Sequence, residues 1–409
     1  MPHPVTGLIH HAYRPPEGFA APQAAVHKAS TVFFPSVAAM RSFDWKDKSA
    51  YTYGLHGTPT TYTLEERLCE VEGGLQCLLV PSGLAAIATV ALSLLRSGDE
   101  VLIPDNAYGP NLDLARGELQ SWGITHQIYN AMDTADLAAR INERTRLVWL
   151  EAAGSVTLEF PDLPEQVRIC RSRGVWSALD NTWGAGIAFR PFDLSPDPTS
   201  QSAPLGVDVT VHALTKYPSG GGDVLMGSVV TRDPDLHLRL KLTHMRLGLA
   251  VAANDAESVL RSLPSLRLRY AAHDASAQKL ARWCLSRTEF VQVLHPALES
   301  SPGHQNWKSL CAKGQEAGFG GAAGLFSVIL DRRFEPRQVD RFCEALRLFK
   351  IGYSWGGPIS LVLPYALKNM RPAWPTHLAH GTVVRFSPGL EDVHDLQADL
   401  AQALACLAS

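Results

Sequence analysis

Charge is scarce in this chain of 409 residues. Only 19% of them are Asp, Glu, Lys or Arg, and 37 Lys plus Arg nearly cancel 40 Asp plus Glu. A net charge of -3 provides no basic field to gather nucleic acid and no acidic block of the kind that stays disordered. Long apolar runs are also lacking. The longest nearly unbroken one, Leu84–Leu95, contains Thr89 and Ser93 and falls short of the ~20 residues that cross a bilayer. Residues 1–18 carry proline and histidine but no apolar core of a signal peptide. The cysteines at 69, 77, 170, 284, 311, 343 and 406 are odd in number and form no CxxC, so they read as free thiols in a reducing compartment. No internal repeat or low-complexity tract is present. The expectation is a soluble, cytoplasmic protein that meets neither nucleic acid nor membrane. Its 46% hydrophobic share suits a large core, and its length suits two or three domains.

Strand-like and helical patterns alternate from Thr60 to about Val230. Apolar strands are expected at Leu75–Val80, Val101–Ile103, Ile124–Tyr129, Leu147–Glu151, Val175–Asp180, Val207–Ala213 and Val224–Thr231. Helical stretches lie among them at Thr63–Glu72, Ser82–Leu95, Leu112–Trp122, Thr134–Asn142 and Leu163–Arg173. That alternation predicts an α/β fold with a mainly parallel seven-stranded sheet covered by helices on both faces. After Pro234 long helical stretches (Leu236–Leu249, Ala256–Leu263, Ala271–Arg287) precede a strand at Leu325–Leu330 and helical patterns at Pro336–Leu348 and Glu391–Leu407. The expected organisation is an extended arm over 1–57, a large α/β domain over 58–253 and a smaller α+β domain over 254–409.

Lys216 follows the strand ending at Ala213 and precedes the glycine-rich Ser219-Gly220-Gly221-Gly222-Asp223. A lysine in a tight turn after a buried strand is poorly solvated, and desolvation favours its neutral amine, which can condense with an aldehyde cofactor. A loop lysine is ordinarily a surface residue, and the glycine run lacks P-loop spacing. Asp180 shifts the balance. It ends the preceding strand, at the crevice where α/β proteins bind ligands, and pyridoxal phosphate requires an acidic partner for its ring nitrogen. Alone, Asp180 reads as a helix cap; with Lys216 on a neighbouring strand end, the pair reads as a cofactor site. Pro81-Ser82-Gly83-Leu84-Ala85 links a strand to a helix, whose amino terminus favours a phosphate, and Thr215 can add a hydroxyl to it.

The same residues carry a resemblance. Tyr53-Gly54, Gly57-Thr58-Pro59-Thr60, Glu72-Gly73-Gly74, Asn106-Ala107-Tyr108 and Glu151 with Gly154-Ser155 occur in order. They are followed by Asp180-Asn181-Thr182-Trp183, Thr215-Lys216-Tyr217, Tyr353-Ser354-Trp355-Gly356-Gly357 and Arg385 with Gly389-Leu390-Glu391-Asp392. From about Tyr53 to its end the chain resembles the Cys/Met-metabolism family of fold-type I pyridoxal-phosphate enzymes, and within it the cystathionine β-lyases. The resemblance implies pyridoxal 5'-phosphate as cofactor, Lys216 as Schiff-base lysine and proton shuttle, and Asp180 as the ring-nitrogen partner. Tyr108 resembles the tyrosine stacked on the ring and a candidate acid. Gly83, Leu84 and Thr215 match phosphate-binding positions, and Tyr53 matches the contribution of a neighbouring subunit. Arg385 matches the arginine that grips the substrate α-carboxylate, a bidentate task, while Tyr353, Ser354 and Trp355 line the substrate side. Trp355 resembles β-lyases rather than γ-lyases.

The implied activity is β-elimination of an amino-acid thioether such as L-cystathionine by a homotetramer built as a dimer of active dimers. Cysteine-S-conjugate lysis, γ-elimination and racemisation are the alternatives, followed by a non-catalytic cofactor-binding relative. Departures bear on substrate preference: Leu55-His56 stands where the family carries one or two arginines, Ala213 where a serine is common, and Gly221-Gly222 where β-lyases have bulkier polar residues. No metal site is expected. His377 and His380 have helical spacing but no third ligand, so a solvated or capping role is expected, and Trp374 between prolines reads as a packed loop anchor.

Overall fold

A computed structural model describes residues 6, 9, 17–18, 21–46, 48–195, 204–312 and 320–407; much of the first half of the expected arm lies outside them. The arm continues as an extended segment with one short helix, α1 (Val37–Ser42), capped by Ser36 and burying none of its residues. Order then sets in abruptly. Thr58 and Thr61 form a reciprocal capping box, Pro59 occupies the first turn, and α2 (Pro59–Glu72) runs until Gly73, whose left-handed φ of 78° ends it.

Seven strands build the first sheet. In chain order they are β1 (Gln76–Val80), β2 (Glu100–Pro104), β3 (Thr125–Tyr129), β4 (Thr145–Glu151), β5 (Trp176–Asp180), β6 (Val209–Ala213) and β7 (Gly227–Thr231). Their spatial order is β1-β7-β6-β5-β4-β2-β3. β7 runs antiparallel to both its neighbours, and every other pairing is parallel. The mainly parallel sheet expected from the sequence is therefore present. Strands β1, β2 and β4 read as nearly continuous apolar runs because both their faces are covered. Alternate residues divide between two cores: Cys77, Leu79, Val148 and Leu150 join one, while Leu78, Val80, Leu147 and Trp149 join the other. Helices α2, α6 (Leu163–Ser172) and α8 (Ala253–Ser262) pack on the first face. Helices α3 (Gly83–Leu94) and α7 (Pro234–Leu247) pack on the second. The short α4 (Gly109–Leu114) passes into a π-turn over Ala115–Leu119, and α5 (Thr134–Arg140) links β3 to β4.

A long helix, α9 (Leu266–Cys284), leads into a second, five-stranded sheet of order β10-β11-β12-β9-β8. Its strands are β8 (Phe290–Leu294), β9 (Phe326–Asp331), β10 (Lys350–Ile351), β11 (Leu361–Tyr365) and β12 (Gly381–Ser387), with the short α10 (His304–Trp307) between β8 and β9. Helices α11 (Pro336–Ala345) and α12 (Val393–Leu404) cover it. By packing, α8 and the first part of α9, through Tyr270, belong to the large core, whereas the second core begins at Ala277. The change from one core to the other thus occurs inside α9, two helical stretches after the patterning changes.

The smaller domain is closed by one buried carboxylate. Asp399 on α12 accepts main-chain hydrogen bonds from Arg347 (2.8 and 3.0 Å), Leu348 (2.7 Å) and Phe349 (3.2 Å), fixing the turn before β10. Bonds to an ionised acceptor contribute roughly 1.5–3 kcal/mol, and unpaired buried donors cost a similar amount. Asp399→Ala should destabilise the protein by about 2–4 kcal/mol in a chemical denaturation curve; a loss below about 0.5 kcal/mol would mean water replaces the carboxylate.

Candidate active site

The carboxyl ends of β1, β2, β4, β5 and β6 open on one edge of the first sheet, and each delivers residues there: Ser82-Gly83, Asn106–Tyr108, Glu151–Ser155, Asp180–Thr182 and Thr215–Lys216. This edge is the crevice in which open α/β sheets hold ligands.

Lys216 sits in a turn after β6, where its main-chain N–H donates to Ala213 (3.0 Å). The turn is held from beneath. The Arg269 guanidinium donates to the Tyr217 carbonyl (2.6 Å) and to Ser262, and the Tyr217 hydroxyl accepts the Gly324 N–H (2.6 Å). Lys216 Nζ donates to Ser354 Oγ (2.9 Å) and lies 5.6 Å from the centre of the Trp355 ring. Burial, then the Arg385 cation, pull the amine down to about 8, against a smaller upward effect of Asp180. The neutral amine is therefore well populated near pH 8.

Asp180 and Glu151 are register partners on neighbouring strands. Burial pushes both carboxyls up; the Asp180 charge adds to the rise at Glu151, while Thr182, whose N–H donates to Asp180 at 3.0 Å, works against the rise there. Thr182 Oγ1 in turn accepts the Ala213 N–H (2.9 Å), locking the two strand ends together. Glu151 accepts the Tyr108 N–H (2.8 Å) and so fixes the loop carrying that aromatic ring. Burial also raises the Tyr108 phenol, with the carboxyls of Asp180 and Glu151 adding to the effect, which keeps it a proton donor.

Arg385, on β12, is buried. It donates to the Ser155 carbonyl (3.0 Å) and lies with its guanidinium 5.2 Å from the Tyr365 ring centre. Ser354 has a left-handed φ of 90°, a conformation costing of order 1–3 kcal/mol at the residue that meets Lys216. Gly83 is required by close approach: a Cβ there would lie 2.7 Å from that of Ala213. Beneath it Ser82 caps α3 through the Ala85 N–H.

Lys216, Asp180, Tyr108, Arg385, Ser354 and Trp355 thus converge. Three positions named from the sequence do otherwise. Tyr353 is 85% exposed. The Thr215 hydroxyl is engaged with the main chain of Met226, donating to its carbonyl (3.3 Å) and accepting its N–H (3.2 Å). Tyr53 stands on the arm, bridged to Thr31 and edge-on to His56. Sequence reasoning missed Tyr365 and Arg269, since no local pattern announces a residue whose role is set by a partner on a neighbouring strand or more than fifty positions away. His56 stacks on Trp45 at 4.6 Å, and its Nδ1 pairs with Thr52 Oγ1 (2.9 Å). Burial and the Lys241 and His244 charges lower its pKa, which disfavours a cation there in place of the arginine. The expectation for His377 is corrected: its Nε2 lies 2.9 Å from Oε1 of the fully buried Glu159, which makes it part of an ion network rather than a solvated or capping residue. His380 instead stacks on Trp374. Among the described residues no group of three His, Cys, Asp or Glu could hold a metal ion.

The donor set suits pyridoxal phosphate: a buried amine near neutrality, a buried carboxyl whose raised pKa a cationic ring nitrogen would relieve, and a helix amino terminus for the phosphate. Comparison with known proteins leads the same way. A profile of the Cys/Met metabolism PLP-dependent enzymes matches residues 5–405. A putative cystathionine beta-lyase of Rhizobium johnstonii is 38% identical over 95% of this chain and 92% of its own length. A cystathionine beta-lyase of Bordetella avium is 36% identical over 96% of this chain and 94% of its own. The crystal structure of metB from Corynebacterium glutamicum superposes with a TM-score of 0.85 at 25% identity, covering 98% of this chain and 97% of that one.

Because its folded-state pKa is lowered, Lys216 should lose its proton at lower pH than the ordinary 10.5. In cofactor-free protein its reaction with an aldehyde should rise through a midpoint near pH 8. Arg385→Leu should move that midpoint upward by removing a neighbouring cation. A wild-type midpoint above pH 10 would show that water reaches the amine.

Proposed function

The chain belongs to the Cys/Met metabolism PLP-dependent enzymes, and we propose that within them it is a carbon–sulfur β-lyase that takes L-cystathionine and water to homocysteine, pyruvate and ammonia. The observation that carries this reading is the Lys216 amine, drawn to about 8 and held against Ser354 and Trp355, between a buried carboxyl on one side and a buried guanidinium on the other. Pyridoxal phosphate supplies an electron sink for the carbanion formed at the substrate α-carbon. We assign its aldehyde to Lys216, its ring nitrogen to Asp180, its ring face to Tyr108, and its phosphate to the main chain of Gly83 and Leu84, with Thr215 securing the loop through Met226. Tyr53 is assigned to a partner copy's phosphate site.

The remaining steps belong to the side chains. Arg385 binds the substrate carboxylate with its guanidinium and is preset by the Ser155 carbonyl and the Tyr365 ring. Lys216 Nζ, able to exist neutral, accepts the α-proton. The Tyr108 hydroxyl, kept protonated by burial and its carboxyl neighbours, donates to the departing sulfur. Trp355 packs edge-on against Tyr217, ring centres 5.3 Å apart, and narrows the space beyond the β-carbon. That narrowing favours β- over γ-elimination. Tyr353, with Ser354 and Trp355, forms the outer substrate wall.

The arm supports assembly. Phe33 is 92% exposed, and Val37 and Met40 on α1, a helix that buries none of its residues, and Phe43 just after it also stand in solvent. A second copy is the natural cover, and a homotetramer of active dimers is the proposed state. The cytoplasm is the proposed location, since the seven cysteines are thiols rather than disulfides and no helix among the described residues is long and apolar enough to cross a membrane.

Assay of a thioether panel for pyruvate and 2-oxobutyrate tests the reaction. Pyruvate from cystathionine is expected, and Lys216→Ala should abolish it with the fold intact. 2-Oxobutyrate as the main product, or racemisation without elimination, would reject the β-lyase assignment. A separate expectation concerns Leu55, which lines a small pocket with Trp45, His56 and Met245. With no arginine at position 55, Leu55→Arg should tighten cofactor retention on dialysis, by roughly ten- to a hundredfold for one charge-assisted contact. It should also raise the preference for cystathionine over neutral thioethers. Unchanged retention and preference would place position 55 away from the site.

A further inference from the structure

We propose that Arg371 is the positioning residue of the carboxylate site, joining the two loops that carry Tyr108 and hold Arg385 while touching no substrate itself. The proposal rests on the lyase reading only in taking Arg385 to bind a carboxylate. Arg371 lies between β11 and β12 and is buried. Its Nη1 donates to Asp105 Oδ2 (3.0 Å), and its Nη2 donates to Glu159 Oε1 (2.7 Å), to Glu159 Oε2 (2.9 Å) and to the Thr157 hydroxyl. Glu159 is fully buried and also meets His377. Arg371 and His377 hold its carboxyl down to about 2 in spite of that burial.

Both carboxylates stand at the roots of active-site loops. Asp105 begins the turn Asn106-Ala107-Tyr108, and its other oxygen accepts the Ala131 N–H (3.0 Å). The Glu159 carbonyl accepts the Gly154 N–H (3.0 Å), closing the loop after β4. The next residue, Ser155, donates its N–H to the Asn106 carbonyl (3.0 Å) and offers its own carbonyl to Arg385. A continuous path therefore runs from Arg371 through Glu159, Gly154 and Ser155 to the Arg385 guanidinium, with a branch through Asp105 to Tyr108. The guanidinium fork matters here. Arginine presents donors in two directions from one rigid plane, whereas a lysine ammonium can keep the charge without holding both carboxylates in fixed geometry. The segment carrying Arg371 and His377 comes from the smaller domain, so the substrate clamp is aligned across the two sheets rather than within either.

The test uses full-length Arg371→Lys, which leaves Glu159 a cationic neighbour, alongside Arg371→Met. In cofactor-free protein, amide exchange should rise in segments 105–109 and 152–159 and stay unchanged in β5. In loaded enzyme, KM should rise at least about tenfold with bound cofactor unchanged. Adding Arg385→Lys to Arg371→Lys should cost far less in kcat/KM than the product of the two single effects. Wild-type exchange and KM in a folded Arg371→Lys, faster exchange with an unchanged KM, or effects that simply multiply would each overturn the proposal. An inactive wild-type protein would remove the lyase reading while the exchange experiment still decides whether Arg371 fixes the loops.

Discussion

Exclusion of water from one amine is the condition on which the rest of the site depends. Lys216 differs from an ordinary surface lysine because Trp355, Ser354, Tyr217 and the end of β5 surround it, and Ser354 and Trp355 come from a segment more than a hundred residues further along the chain. Two of these are held independently of the cofactor: Tyr217 by Gly324 and Arg269, and the β5 and β6 ends by Thr182. Desolvation makes the amine reactive, but it also penalises every carboxylate and guanidinium nearby. The surrounding polar residues serve chiefly to offset that penalty. Thr182 does so for Asp180, Ser155 and Tyr365 for Arg385, and the network of Arg371 and His377 for Glu159.

The large domain was legible in the sequence because its sheet is covered on both sides. Strands such as Leu75–Val80 and Leu147–Glu151 could be located within a residue or two from apolar runs ending in turn residues. Lys216 and Asp180 stood out because each follows such a run, and ordered motif blocks identified the family. The smaller domain was less legible. β8, β11 and β12 are partly polar, and they alternate with loops containing Pro, Gly and Trp, so no period emerges. Strand β12 carries Arg385, which only resemblance could single out.

Partners distant along the chain were invisible for a different reason. Glu72 sits near the end of α2 and reads as part of a helix stop. Folded, it is completely buried and receives the Thr210 hydroxyl (2.8 Å), the Asn181 amide (3.2 Å) and His212 Nδ1 (2.9 Å). The pattern of helix and sheet decides where such a residue falls, but only tertiary packing supplies its partners. His377 illustrates the same point: the lack of a third metal ligand suggested a solvated or capping residue, and the fold placed it against the buried Glu159.

Helix α9 has one end in each core. Its first turns, through Tyr270, pack beneath the lysine loop, and from Ala277 onward it forms part of the wall of the second sheet. A rigid rod shared in this way leaves no flexible joint where the domains divide, so rocking one against the other would require breaking the rod or peeling apolar side chains from a packed interior. Entry and release of small molecules are therefore left to the rim of the crevice, to segments such as 353–359, where Tyr353 and Ile359 stand in solvent. Evolution can reshape that rim residue by residue while the frame that holds the amine stays the same, which is one way a single architecture can serve thioethers of different lengths.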